Sequence, residues 1–196
     1  MAALGLGAAW ASGLNVYAVA LTLGLLDAAG VIHLPPQLAP LSSPLVLGIA
    51  ACLYAIEFIA DKVPGVDHVW DAIHTFIRIP AAAILAASAI GAVDPNLTVA
   101  AALVGGTLAF GSHLSKATAR PALNLGIPFA GAVLSLIEDA LAIGGVVLAV
   151  FFPIALFIVL VVIVGVTIWL LPKLLRLAAR LVSGLFRGFG GSTGRS

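Results

Sequence analysis

The chain has 196 residues, of which 62% are hydrophobic and 9% charged, and its formal net charge is +1. A soluble domain carries roughly a quarter of its residues as charged groups, because its surface must face water. Nine basic and eight acidic side chains cannot cover this chain. A soluble globular domain is therefore excluded, and the sequence predicts a protein embedded in a lipid bilayer.

Six apolar stretches predict membrane-spanning helices. A helix needs about 20 apolar residues to cross the hydrocarbon core. In chain order, the stretches lie at about 4–26, 44–60, 80–93, 97–116, 128–150 and 153–171. The third is short unless its helix begins near Val69. The predicted fold class is therefore all-α, a polytopic membrane protein with about six transmembrane helices.

A polar segment at 61–78 lies between the second and third predicted spans. Within it, Asp67, Asp71, His74 and Arg78 recur at spacings of three and four residues, so one helix face would carry all four. The opposite face is strongly apolar. We predict an amphipathic helical segment whose polar stripe lines a cytoplasmic vestibule or a re-entrant hairpin. The alternative is a solvated loop helix with internal ion pairs.

The chain becomes amphipathic beyond the sixth predicted span. Lys173, Arg176 and Arg180 stand on one side with leucines between them, a pattern typical of a helix that lies in the membrane interface. The segment that follows is rich in glycine, which favours disorder. We therefore predict a transmembrane domain at 1–172, an amphipathic interfacial helix at 173–188 and a disordered tail at 189–196.

The basic residues predict an orientation, because Lys and Arg are retained on the cytoplasmic side of a membrane. With six spans, all nine Lys and Arg residues fall on one side of the membrane. They lie between the second and third spans, between the fourth and fifth spans, and after the sixth span. The loops on the other side contain none. We predict a multi-pass protein whose N and C termini are both cytoplasmic.

Two pairs of spans resemble each other, as they would in an inverted repeat. The seven residues that end at Asn15 (Ala-Trp-Ala-Ser-Gly-Leu-Asn) align with the seven that end at Ser115 (Ala-Phe-Gly-Ser-His-Leu-Ser). The glutamates of the second and fifth spans, Glu57 and Glu138, coincide in the same way. We predict an inverted repeat of three plus three spans, with halves at about 1–93 and 94–172. Chance matches between small and aliphatic residues are the alternative.

Four spans carry polar or charged groups, and a charged group costs roughly 2.5–3.5 kcal/mol to insert into a bilayer. Such groups usually face a cavity or one another. If the two halves pack face to face, the groups of the first, second, fourth and fifth spans meet in one pocket. The predicted substrate- or ion-binding residues are Asn15, Glu57, Asp61, His113, Lys116, Glu138 and Asp139.

Glu57 and Glu138 are the main candidates for the chemistry of this pocket. A carboxylate held out of water can exchange protons near neutral pH, and paired carboxylates with His and Asn also suit a divalent cation. No cofactor is firmly predicted, because no stretch has a diagnostic metal spacing. The alternative is that both glutamates pair with basic residues as links between helices. The candidate metal ligands are Glu57, Asp61, Asp71, His74, His113 and Glu138.

Five stretches identify a known family. They lie at 13–17, 57–67, 70–78, 111–116 and 135–139. On these stretches, nearly the whole chain resembles a bacterial membrane-protein family catalogued as domain of unknown function 4126. The run Ile79-Pro80-Ala81 departs from the Pro-Pro-Ala-Gly-like run expected of that family. The resemblance implies the inner (plasma) membrane of a bacterium and no particular activity.

Three functions compete for these residues. The first is a small transporter or channel for a cation or a proton-coupled solute, as a homo-oligomer because six spans make a thin wall. The second is an intramembrane metal-dependent enzyme that acts on a lipid-linked phosphate through Asp67, Asp71, His74 and Arg78. The third is a non-catalytic assembly subunit. We predict the first of these functions, and therefore no catalytic residue. The predicted partners are the lipid bilayer and a small solute or ion, and no nucleic acid is expected.

Overall fold

The computed structural model describes residues 2–63, 65–91, 94–124 and 130–190. These residues form six α-helices and one short 3-10 helix and contain no β-strand, which confirms the all-α class. The helices are α1 (Ala2–Ala28), α2 (Pro44–Ala60), α3 (Val66–Ile90), α4 (Pro95–Asn124), α5 (Ala130–Phe151) and α6 (Pro153–Gly190), and the 3-10 helix (Ala39–Ser42) precedes α2.

Five helices in the described part of the chain are long and apolar enough to cross a membrane. In chain order, the apolar segments are Ala2–Ala28 of α1, Val69–Ile90 of α3, Pro95–Ala119 of α4, Gly131–Phe151 of α5 and Pro153–Leu170 of α6. The remaining helix, α2, is apolar but has 17 residues, which is near the lower limit for a span. These helices support an integral membrane protein. Whether α2 makes a sixth full span stays a prediction.

The predicted amphipathic segment and the third predicted span form a single helix, α3. It begins after Gly65 and ends before Gly91, whose φ angles of 90° and 76° lie in the region that glycine adopts without strain. Pro80 lies inside the helix and has no N–H to donate to the carbonyl one turn earlier. Because α3 continues through Pro80, it carries the polar stripe and the apolar span on one helix.

The last helix, α6, continues through Pro172 to Gly190 without a break. The predicted interfacial helix at 173–188 is therefore continuous with the sixth predicted span. The predicted tail at 189–196 begins inside the last turn of α6, and residues 191–196 lie outside the described residues. The division into a transmembrane domain, an interfacial helix and a disordered tail stays a prediction.

α1 lies at the centre of the bundle and contacts every other helix. Its many Gly and Ala residues allow this, since small side chains let helix backbones approach closely. A Cβ atom on Gly7 would collide with Ala149 of α5, and one on Gly13 would collide with Ser112 of α4. By contrast, α6 faces outward, and Val161 is 71% exposed, as expected for a helix in contact with lipid.

α1 is interrupted at Asn15, near its midpoint. The backbone of Asn15 is extended (φ −152°, ψ 102°) rather than helical. Its Oδ1 accepts a hydrogen bond from the backbone N of Ala18 at 2.9 Å, so the side chain caps the second half of α1 as an N-cap residue does. Just before the break, the carbonyl of Leu14 accepts a hydrogen bond from Lys116 Nζ at 3.3 Å. The interruption thus places backbone polar groups beside charged side chains inside the bundle.

Candidate functional site

All eleven predicted site residues are buried. Each of the seven predicted ion-binding residues and the four predicted vestibule residues is at most 6% exposed. Seven of the eleven are joined by direct contacts into one group, which we call the central cluster. The central cluster consists of Glu57, Asp61, Asp71, Arg78, His113, Lys116 and Glu138. The structure therefore brings five of the seven predicted pocket residues and two of the four predicted vestibule residues into one cluster.

Arg78 is the first cationic centre of this cluster. It projects from the middle of α3 and is 0% exposed. Its Nη2 donates to Glu57 Oε1 at 2.6 Å, and its Nη1 donates to Asp71 Oδ1 at 2.9 Å. Both bonds join ionised groups, which makes them short and strong. Among the described residues, Arg78 Nε and Glu57 Oε2 have no hydrogen-bond partner.

Lys116 of α4 is the second cationic centre. Its Nζ lies 3.1 Å from Asp61 Oδ2, 3.2 Å from Asp71 Oδ1 and 3.5 Å from Glu138 Oε2. Asp71 joins the two centres, because the same carboxylate oxygen contacts Arg78 and Lys116. With its bond to the α1 carbonyl, one ammonium group links α1, the end of α2, α3 and α5.

The geometry around His113 fixes its tautomer. Its Nδ1 lies 3.0 Å from Nη1 of Arg78, and a guanidinium nitrogen can only donate, so Nδ1 is the acceptor. Nε2 therefore carries the proton and donates to Thr75 Oγ1 at 2.6 Å, while the Thr75 hydroxyl donates to the backbone carbonyl of Asp71. Both ring nitrogens are thus occupied by protein groups, and His113 supports the position of Arg78.

His74 lies in an aromatic pocket beside the central cluster. Its Nδ1 lies 2.8 Å from the Trp70 carbonyl, so Nδ1 donates, and its Nε2 accepts from the Tyr17 hydroxyl at 3.1 Å. The Trp70 ring stacks on the imidazole with ring centroids 4.2 Å apart. All four residues of the α3 stripe are buried, and two of them, Asp71 and Arg78, belong to the central cluster. Asp67 accepts from the backbone N of Gly65 at 2.8 Å and so caps the start of α3.

Asn15 and Asp139 form a separate buried pair. Asn15 Nδ2 donates to Asp139 Oδ1 at 2.9 Å, so the interruption of α1 is bonded to α5. The second oxygen, Oδ2, is buried and has no hydrogen-bond partner among the described residues. The described ion pairs of Arg78 and Lys116 do not include Asp139.

Sequence reasoning did not place Lys62 and Ser135 in the site, although both adjoin it. Lys62 follows α2 and is partly exposed, and its Nζ lies 3.0 Å above the Phe58 ring centroid. The same Nζ donates to Ser135 Oγ at 3.4 Å. Ser135 is fully buried on α5, one turn before Asp139. A lysine beside Asp61 at the end of a span was the only sequence signal for this contact.

Buried carboxyl groups outnumber buried cations in this region. The described residues place five carboxyl groups, Glu57, Asp61, Asp71, Glu138 and Asp139, around two cations, Arg78 and Lys116. With all of these described groups ionised, the carboxylates would exceed the buried cations by three, and by two when the partly exposed Lys62 beside Ser135 is counted. Unpaired charges are not stable in an apolar interior, so such groups take up protons or bind a partner of opposite charge.

The predicted metal ligands gather around protein cations instead of a vacant centre. Within the described residues, no group of three or more His, Cys, Asp or Glu side chains is arranged to hold a metal ion. Five of the six candidates, all except His74, belong to the central cluster, where Arg78 and Lys116 occupy the positions between the carboxylates. The geometry is therefore that of a charge network, and the predicted divalent cation stays a prediction.

A cavity of about 500 Å³ lies at the opposite end of the bundle from Lys62, where α3 ends and α4 begins. Its polar lining residues are Gln37, Ser88, Asp94 and Thr98. Ser88 lies ten residues beyond Arg78 on α3, which is about 15 Å along the helix axis. This cavity is on the side that contains no Lys or Arg in the predicted orientation.

Comparisons with known proteins give one match. The sequence model of a family described as a domain of unknown function (DUF4126) matches residues 2–173. Neither the curated proteins nor the solved structures contain a match to this chain.

Proposed function

Because the chain belongs to the DUF4126 family, whose description assigns no activity, we propose a function from the buried site itself. The protein is a small integral membrane transporter or channel for a cation or for a small solute that moves with protons. The observation that carries this proposal is the excess of buried carboxyl groups over buried cations at the centre of the bundle. The bilayer and the transported solute are its partners.

The charge excess gives the site a capacity for positive charge. Burying an ion without a partner costs several kcal/mol even after the surroundings relax. The excess of buried carboxyl groups over the described cations therefore favours a bound proton or cation. A purely structural ion-pair network would be expected to match its charges, and this one leaves oxygens of Glu57 and Asp139 without partners among the described residues.

The placement of the site supports coupling between ion binding and helix movement. The central cluster and the Asn15–Asp139 pair together draw side chains from α1 to α5 and from the turn after α2. A proton or cation that enters or leaves changes the attraction between several helices at once. Transporters of other folds have ion sites at interrupted helices near the middle of the membrane, and the break at Asn15, near the midpoint of α1, is a feature of the same kind.

The enzyme hypothesis receives less support from the same geometry. It requires Arg78 to face a phosphate group at the interface, since arginine suits that ligand. Instead, Arg78 is fully buried and its two terminal nitrogens donate to Glu57, Asp71 and His113.

Two further features belong to the proposal: the inverted repeat, in which Glu57 and Glu138 correspond, and a homo-oligomer in the plasma membrane with both termini cytoplasmic.

A flux assay tests the proposal. The purified protein is reconstituted into vesicles that contain a pH-sensitive dye, and a potassium diffusion potential is imposed with valinomycin. Sodium, potassium and small amines are then added outside, one at a time. We expect a protein-dependent pH or cation signal that falls to the level of empty vesicles in Glu57→Gln and Glu138→Gln.

The matched control is Asp94→Asn, which changes a carboxylate outside the central cluster that accepts from the Asn96 backbone N at 2.7 Å. Circular dichroism and gel filtration verify that each variant is folded before reconstitution. The proposal is wrong if folded Glu57→Gln and Glu138→Gln both retain wild-type flux, or if wild-type vesicles match empty ones for every ion and amine.

A further inference from the structure

We infer that Asp139 is the residue that binds the exchanged proton, as a neutral carboxylic acid bonded to the interruption of α1. This inference rests on the proposed function and names the proton as the ion that the site carries. It separates Asp139 from the central cluster, whose carboxylates are paired with Arg78 and Lys116. Three observations support it.

The first observation is that Asp139 takes part in none of the described ion pairs of Arg78 and Lys116. Its described hydrogen bond comes from a neutral amide, that of Asn15 at 2.9 Å. Its Oδ2 is buried without a partner among the described residues, and the residue is 6% exposed. One amide does not offset the cost of burying a full negative charge. A proton on Oδ2 removes that charge and leaves Oδ1 free to accept the Asn15 bond.

The second observation is the role of Asn15 in the backbone of α1. Its Nδ2 is bonded to Asp139, while its Oδ1 accepts from the backbone N of Ala18 and caps the second half of the helix. Asn15 is also the residue with extended backbone angles. One amide group therefore connects the protonation state of Asp139 to the point where α1 changes direction.

The third observation concerns the type of ion. A metal cation needs several oxygen ligands that point at one position. Here Asn15 presents an N–H group to Asp139, and its own oxygen is already bonded to Ala18. A single carboxyl oxygen without a partner suits a proton, which forms one covalent bond.

The charged groups that face Asp139 come from two neighbouring elements. Asp61 and Lys62 follow α2, and Lys116 is on α4. The Tyr54 hydroxyl of α2 is also close enough for Asp139 to act on it electrostatically. Lys116 already contacts three carboxylates of the central cluster. Its single positive charge therefore does not suffice to neutralise Asp139 as well.

Polar side chains lie between Asp139 and the end of the bundle. Ser135 lies one helical turn before it on the same face of α5, and Lys62 Nζ contacts Ser135 Oγ at 3.4 Å. Lys62 is partly exposed. The proton comes from water, forms an O–H bond with Oδ2 and returns to water, so no other reactant is required.

Infrared difference spectroscopy tests this inference on the full-length protein in lipid nanodiscs. Spectra are recorded between acidic and alkaline buffer, and again after biosynthetic ¹³C labelling of the aspartate carboxyl carbon. We expect the C=O band of a buried carboxylic acid, its shift on aspartate labelling, and its loss in Asp139→Asn. The band is retained in Asp94→Asn.

Two results overturn the inference. One is a wild-type protein whose buried carboxylic-acid band does not move with aspartate labelling, which would assign the proton to Glu57 or Glu138. The other is a folded Asp139→Asn variant that keeps the full band. The labelling result requires no variant, so a band that does not move with aspartate labelling overturns the inference even if Asp139→Asn fails to fold. If the band is assigned to Asp139 and the vesicles show no flux, the proposed function is wrong and the proton site stands.

Discussion

Replacement of Arg78 by methionine tests whether the central cluster holds the bundle together through its cations. Arg78→Met keeps a side chain of moderate length in the interior and removes the guanidinium. Glu57 then loses the partner at 2.6 Å, and its other oxygen has no partner among the described residues. Asp71 keeps its contact with Lys116 at 3.2 Å. The variant thus leaves one buried carboxylate alone.

The expected loss of stability follows from these contacts. Removing one partner of a buried ion pair typically costs about 3–5 kcal/mol, whereas replacing both partners by apolar groups is often close to neutral. Arg78→Met should therefore lower the free energy of unfolding by about 3–5 kcal/mol. The double variant Arg78→Met/Glu57→Leu should recover at least about 1 kcal/mol of that loss, because the unpaired carboxylate is gone.

The assay is unfolding in mixed detergent micelles with increasing SDS, followed by circular dichroism. Lys173→Met is the control, because Lys173 lies over the Trp169 ring at an exposed position. Loss of that cation–π contact should cost at most about 1 kcal/mol. A single Arg78→Met variant within 1 kcal/mol of wild type would refute the reasoning, as would a double variant whose loss equals the sum of the two single variants.

Three further predictions concern packing, a buried hydrogen bond and orientation. Gly13→Ala should destabilise the fold by about 1–3 kcal/mol, since the added methyl group overpacks the α1–α4 contact. Gly144→Ala is the control, because its added methyl group meets open space and should not destabilise the fold. Unfolding in SDS compares the two variants. Tyr17→Phe leaves a buried imidazole nitrogen without its donor and should cost about 1–3 kcal/mol in the same assay, and an unchanged unfolding midpoint would contradict the assigned tautomer. In a cysteine-free background, a membrane-impermeant maleimide should label Asn96→Cys in intact cells and Val63→Cys only after permeabilisation, and the reverse pattern would invert the predicted orientation.

The sequence allows the helices to be predicted because lipid imposes a simple requirement on them. Long apolar runs are needed to cross the bilayer, and the second stretch, at 44–60, has the same bounds as α2. α2 begins there because Ser43 and Pro44 occupy its N-cap and first-turn positions. The third span was too short when taken from Pro80 alone, and the structure shows that α3 begins at Val66, well before the proline.

The burial of the site residues could also be predicted, but their pairing could not. Charged groups in a span must face the interior, and every predicted site residue does so. Periodicity says that Asp71, His74 and Arg78 share a face, yet it does not specify how α3 is rotated about its axis. That rotation decides that Asp71 bridges two cations while His74 packs against Trp70.

The interruption of α1 has no signature in the sequence. One asparagine in an apolar helix is equally compatible with an intact helix that presents its amide to a neighbour. The extended backbone is favoured here because the side chain satisfies Ala18 N on one side and Asp139 on the other. Both partners depend on how α5 packs against α1. Such a contact depends on tertiary structure and cannot be inferred from a single span.

The two halves of α1 are held in different ways, and this difference indicates where movement can occur. The first half is fixed to α4, because Gly13 leaves no room for displacement toward Ser112, and Ser112 Oγ donates to the Trp10 carbonyl at 2.8 Å. The second half begins at Asn15, whose amide is bonded to Asp139. A change in the charge of Asp139 therefore acts at the junction between a fixed segment and a segment capped by one side chain. Since ligands shift conformations only through differential interactions with two states, the proposed proton binding on Asp139 would bias the arrangement of α1 and α5 at this junction.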